Sequence, residues 1–191
     1  IVIASIAVIA FVGDALNTES FNLIANASLS NDIKIDLIKC LSSNGGIDGM
    51  IIGQAIDCFF ENQTLELNQL EFLHIHKTAK LIAASLKMGA IICEYDLQTQ
   101  NKLFDFGIDL GLLFQVQDDI IDETCSSEIA GKTTQNDSSK NSFVNLLGLE
   151  GAIKSADDLA MKCINILNTF DDNLRKSLET LLLDYINRHK A

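Results

Sequence analysis

No proline occurs anywhere in the 191 residues of this chain. An interior proline removes a backbone donor and costs a helix about 3 kcal/mol, so long helices can run wherever the apolar pattern favours them. The pattern does favour them: Leu103, Phe106, Leu110 and Leu113 recur at three- and four-residue spacing. Breaks rich in Gly, Asn, Ser or Thr fall at 42–46, 61–64, 124–142, 148–151 and 168–173. The chain reads as all-α. No repeat, low-complexity tract or linker divides it, and 48% hydrophobic residues suffice for a single domain over 1–191. Gly107 and Gly111, four apart, form a small face that predicts close approach by a neighbouring helix.

Charge and thiols narrow the function. A net charge of −12 argues against nucleic acid as a partner. The apolar run at 1–12 is too short to span a bilayer and lacks a basic flank, so it reads as a buried helix. Cys40, Cys58, Cys93, Cys125 and Cys163 form no C-x-x-C pair and sit at apolar positions, which reads as core thiols of a reduced, cytoplasmic protein.

The stretch Phe114-Gln115-Val116-Gln117-Asp118-Asp119-Ile120-Ile121-Asp122 sets three carboxylates in D-D-x-x-D spacing inside an apolar helical run. Residues three and four apart share a helix face, so Asp122 lies beside both Asp118 and Asp119, with Gln115 one turn earlier. Like charges so crowded favour proton uptake unless a cation is present. Mg2+ prefers hard oxygen ligands, keeps several waters and takes few protein carboxylates, which suits a bridge to phosphate. Lys132, in the loop that follows, can meet the phosphate charge left over. This is the spacing of a metal-diphosphate site, although taken alone it also fits a solvated helix end. Asp157-Asp158 and Asp171-Asp172 lack the third carboxylate and read as a charged helix face and a turn. The 124–142 loop is long for a compact domain and reads as a flap that closes over diphosphate and excludes water.

These residues do not stand alone. Val12-Gly13-Asp14-Ala15-Leu16, Gly49 through Asp57, His74-Ile75-His76-Lys77-Thr78, Phe114 through Asp122, and Gly131-Lys132-Thr133 with Lys140 and Leu146 through Glu150 follow one another in a fixed order. Together they resemble the trans-isoprenyl diphosphate synthases, the farnesyl and geranylgeranyl diphosphate synthase family, over some 140 residues. The resemblance implies an isoprenoid synthase helical bundle around a deep apolar pocket with metal at its mouth. It implies head-to-tail condensation of isopentenyl diphosphate with an allylic diphosphate (dimethylallyl or geranyl) to a short-chain, geranyl or farnesyl product. Asp118, Asp119 and Asp122 would hold Mg2+, and Lys77, Lys132 and Lys140 would hold diphosphate. Thr78 and Gln115 would turn oxygen dipoles toward an allylic cation. Without the resemblance, Lys77 reads as a solvated helix charge. His74 and His76, two apart, fall on different faces and do not read as a metal pair. Asp14, Gln54 and Asp57 are assigned no chemistry. A homodimer is the family habit, with the helix from Ile1 in the interface.

The departures carry their own expectations. The family's first aspartate-rich motif and its N-terminal basic segment are absent from 1–191, and the chain's two arginines are Arg175 and Arg188. The chain therefore resembles the C-terminal two-thirds of such an enzyme, and 1–191 alone is expected to be inactive or nearly so. After Lys132 the family's Gly-Lys-Asp becomes Gln135-Asn136-Asp137, with a shortened spacing to Lys140 that weakens that residue's assignment. Two alternatives remain: a non-catalytic synthase-like subunit that binds a full-length partner, and a terpene cyclase of the same fold. No metal triad of the cyclase type is visible, and Lys77-Thr78 with Gly131-Lys132 favours prenyl transfer.

Overall fold

The computed structural model describes residues 2–61, 63–129 and 141–190. Among these residues every regular element is helical: α1 (Val2–Asn26), α2 (Asn31–Gly45), a π-helical turn (Ile47–Ile51), α3 (Ile52–Phe59), α4 (Leu67–His74), a second π-helical turn (Ile75–Ala79), α5 (Lys80–Ile92), α6 (Leu97–Ile129), α7 (Phe143–Leu167), α8 (Asp172–Ile186) and a final 3-10 turn (Arg188–Lys190). The all-α reading stands.

Local chemistry starts several of these helices. Ser30 accepts the Ile33 amide at the head of α2, Ser142 the Asn145 amide of α7, and Asp171 the Asn173 and Leu174 amides of α8. Glu66 and Gln69 form a reciprocal box at the start of α4. Such caps satisfy orphan amide donors and contribute about 1 kcal/mol each. Asp171 thus lies in the turn expected of it. The break near 148 is a kink inside α7, where Gly148 adopts φ 72°, a conformation glycine reaches without a Cβ clash.

Two boundaries differ from expectation, and the first is α2, which runs through Ser42-Ser43-Asn44 to Gly45. α6 does not stop at Thr124 but continues to Ile129. Thr124 turns its hydroxyl back onto the Ile120 and Ile121 carbonyls, 2.9 and 3.2 Å away, so the hydroxyl is satisfied within the helix.

The core is built on α6. Leu103, Phe106, Leu113 and Val116 are almost wholly buried, and Leu110 and Ile120 nearly so. Against them α7 lays the small residues Ala152, Ala156 and Ala160, followed by Cys163 and Leu167. On the other side α5 comes closer still. A Cβ added to Gly107 would lie 2.4 Å from the Ala83 Cα, and one added to Gly111 would lie 2.4 Å from the Ala79 Cα. The small glycine face is occupied as expected. From Ala79, which ends the second π-helical turn, to Ala83 in α5 the contact retreats from Gly111 to Gly107, so α5 runs antiparallel to α6.

The cysteines divide. Cys40 and Cys163 are buried, whereas Cys58 and Cys93 are exposed, which corrects the reading of all five as core thiols. The side chain of Cys125 lies outside the described residues. Burial pushes the Cys163 thiol up to about 12, and the Asp109 carboxylate adds to that shift.

Candidate functional site

The antiparallel α5–α6 contact sets the turn that holds Lys77 and Thr78 against the helix that carries Gln115 and the aspartates. Ala79 ends the π-helical turn Ile75–Ala79 and rests on Gly111, one turn before Gln115. Reading backward through Thr78 and Lys77 therefore moves toward Gln115, and Asp118 lies a turn beyond. A π-helical turn widens the helix by one residue and re-aims the side chains around it. The neighbouring π-helical turn and α3 pack on the same place. A Cβ on Gly53 would lie 2.2 Å from the Lys77 nitrogen and 2.7 Å from its Cα. Only glycine lets the α3 backbone sit so close to Lys77.

Lys77 is not a free surface charge. Its ammonium donates to the Asp57 carboxylate one turn along α3 from Gly53, and the two side chains are 32% and 37% exposed. An ion pair so open to water contributes little to stability. Its effect is to hold the lysine in place. Thr78 is half-buried in the same turn. Lys80, one residue past it, donates to the Asp48 carbonyl at 2.7 Å and ties the two π-helical turns together.

The carboxylates of α6 face different neighbours. Asp118 accepts the Arg188 guanidinium, while the Gln115 amide lies 3.5 Å from its other oxygen. Asp119 accepts the Phe143 amide at 2.7 Å and so anchors the start of α7. Asp122, exposed, shares the face of Asp118 by its four-residue spacing. Among the described residues no three His, Cys, Asp or Glu side chains are gathered into a ready-made metal cage. Mg2+ takes one or two carboxylates and completes its shell with water and phosphate oxygen, and Asp118 and Asp122 are the pair of donors that one face of α6 could offer it. The donor set fits such an ion in a second respect: Asp118 already draws a cation to itself.

Lys132 and Lys140 lie outside the described residues, as does most of the 124–142 segment read as a flap. His74 is buried against Phe143, with ring centroids 5.5 Å apart, and His76 stacks on Phe72 at 3.9 Å. Neither behaves as half of a metal pair.

Several contributors escaped the motif reading. Asp57 was left without a role and is the partner of Lys77. Asp157, read as part of a charged helix face, meets His189 at 3.2 Å. Gln117 is buried and bonds the Ile186 carbonyl and His189. Asn141 accepts the Leu65 amide and donates to the Phe60 and Gln63 carbonyls, fastening the α3–α4 link to the approach of α7. The available signals were small: an amide amid apolar residues for Gln117, and one of two arginines for Arg188.

The polyprenyl synthetase family profile matches residues 4–181. The chain belongs to that family. It is 38% identical over 180 residues to the farnesyl diphosphate synthase of Micrococcus luteus, covering 93% of this chain and 62% of the relative. It is 36% identical over 181 residues to the farnesyl diphosphate synthase of Escherichia coli K12, covering 91% and 60%. The structure of a geranyltransferase from Helicobacter pylori complexed with magnesium and isoprenyl diphosphate superposes with a TM-score of 0.81 at 53% identity, over 91% of this chain and 58% of the other. The chain thus spans about three-fifths of the length of the curated relatives it matches. Among the described residues no helix is long and apolar enough to cross a membrane.

Proposed function

We propose that the protein carrying this chain is a short-chain isoprenyl diphosphate synthase that joins isopentenyl diphosphate head-to-tail to an allylic diphosphate. The observation that carries the reading is the close packing of Ala79 on Gly111, which sets the turn holding Thr78 and the Asp57-paired Lys77 against the helix that carries Gln115 and the aspartates. Magnesium bound by Asp118 and Asp122, with Asp119 alongside, would draw negative charge onto the diphosphate as it leaves. Lys77 faces the same charge, and Lys132 and Lys140 add to it from the following segment. The allylic C–O bond breaks with its electron pair leaving on diphosphate. Oxygen dipoles from Thr78 and Gln115 favour the carbocation, which exists only past the ground state. The isopentenyl double bond then attacks that carbon, and the proton lost to restore an alkene passes to the released diphosphate.

Residues 1–191 are read as part of one polyprenyl synthetase domain that works as a homodimer. Val12, Leu16 and Leu23 leave an apolar stripe of α1 exposed at 53%, 67% and 65%, which a second copy would cover.

The test is transfer of labelled isopentenyl diphosphate to geranyl diphosphate by the full-length protein. Transfer is expected with Mg2+, is expected to vanish in chelator, and is expected to fall at least about a hundredfold in Lys77→Gln. A full-length protein that transfers nothing but binds a second synthase would instead favour the non-catalytic subunit.

A further inference from the structure

Arg188 approaches Asp118 from seventy residues downstream. Its guanidinium bonds the Asp118 carboxylate, donates to the Phe114 carbonyl at 3.2 Å and lies over the Phe114 ring, 4.3 Å from the centroid. The next residue secures the turn. The side chain of His189 is 1% exposed and stands between Asp157, 3.2 Å from its Nε2, and the Gln117 amide, 2.9 Å from its Nδ1. The Gln117 amide also donates to the Ile186 carbonyl at 3.1 Å, so His189 Nδ1 accepts and its Nε2–H donates to Asp157. Gln117 and Asp118 are neighbours on α6: one holds the 3-10 turn, and the other receives its arginine.

This arrangement competes with a divalent cation for the same carboxylate. One Asp118 oxygen carries a guanidinium N–H, and the Gln115 amide stands 3.5 Å from the other. An inner-sphere metal would bind the same two oxygens and meet the guanidinium's like charge beside it. The docked arginine is also incompletely satisfied, because its Nε is buried without a hydrogen-bond partner. We propose that Arg188 is a built-in counterion for Asp118 which a divalent cation must displace, so that metal binding and docking of Arg188 exclude each other. Without metal, the guanidinium neutralises the first aspartate of the motif; with metal, Arg188 leaves α6 while His189 keeps the turn attached. The coupling is reciprocal: whatever the arginine contributes at Asp118 is subtracted from metal affinity.

The inference rests on reading the α6 aspartates as a divalent-metal site, and the test separates the two. Mn2+ binding to the full-length protein is followed by electron paramagnetic resonance in wild type, Arg188→Gln and Asp118→Asn. Arg188→Gln is expected to bind Mn2+ about three- to thirtyfold more tightly, the range of a partly exposed, charge-assisted pair. In parallel, the side-chain Nε signal of Arg188, assigned by its loss in Arg188→Gln, is expected to shift on adding Mg2+. Arg175, paired with Asp172 and Glu179, serves as the unmoved control. Weaker or unchanged Mn2+ binding in Arg188→Gln, with Asp118→Asn still impaired, overturns the counterion proposal alone. Unchanged binding in Asp118→Asn overturns the metal reading and the proposal with it.

Discussion

Gly53→Ala perturbs the site without replacing a charged residue. The new Cβ would lie 2.2 Å from the Lys77 nitrogen and 2.7 Å from both the Lys77 Cα and the His76 carbonyl carbon. All three obstacles are backbone, so no side chain can rotate away. Relief to ordinary contact requires α3 and the π-helical turn to separate by more than about 1 Å. Overpacking of this kind costs about 1–3 kcal/mol, which lowers Tm by roughly 3–10 °C in a protein of this size. Asp57 rides on the same helix one turn along, so its hold on Lys77 shifts with the displacement. A misplacement near 1 Å is worth about a hundredfold in rate. Differential scanning calorimetry and steady-state kinetics on the full-length protein read both effects. Gly89→Ala supplies the opposite sign, because nothing lies within 4 Å of a Cβ there and helix propensity alone should stabilise by about 0.5–1 kcal/mol. If Gly53→Ala matched Gly89→Ala in stability and left turnover unchanged, the packing of α3 on Lys77 would not be what positions the lysine.

Two further outcomes follow from burial and capping. Cys163, with its thiol raised to about 12, should resist alkylation in the folded protein at pH 8 while Cys58 and Cys93 react; equal labelling rates by mass spectrometry would contradict its burial. Asp96 accepts the Thr99 amide at 2.7 Å ahead of α6, and that hydrogen bond, helped by the Thr99 hydroxyl, holds its carboxyl below the ordinary value of 3.8. A carboxyl lowered by folding stabilises above its unfolded pKa and loses that contribution as pH falls through the folded value. The stability difference between wild type and Asp96→Asn should therefore be constant near neutrality and close below about pH 4, and a urea-unfolding series that shows it growing in acid would refute the cap.

Much of this molecule is visible in local pattern. Leu103, Phe106, Leu110 and Leu113 share a face by spacing alone, and all four are buried. Gly107 and Gly111 announced a close helix contact, and the backbone at Ala83 and Ala79 fills it. Other features have no local signal. Nothing in Ile75–Ala79 encodes the extra residue of a π-helical turn, because periodicity counts faces and not hydrogen-bond partners. The partner of Lys77 lies twenty residues away and that of Asp118 seventy, beyond the reach of any spacing rule. Thr124 carries low helix propensity and reads as a break, yet its hydroxyl is satisfied inside α6 and the helix runs on. Motif order named the candidate residues; tertiary contacts decided who pairs with whom.

The central claim is that the α6 aspartates and Lys77 together hold a metal-diphosphate complex. Its most direct test is a crystal of the full-length protein grown with Mn2+ and inorganic diphosphate, measured for anomalous scattering. The account predicts a manganese peak within coordination distance of the Asp118 carboxylate, with the diphosphate between that ion and the Lys77 ammonium. A diphosphate bound elsewhere, or bound beside Lys77 with no metal on α6, would contradict it.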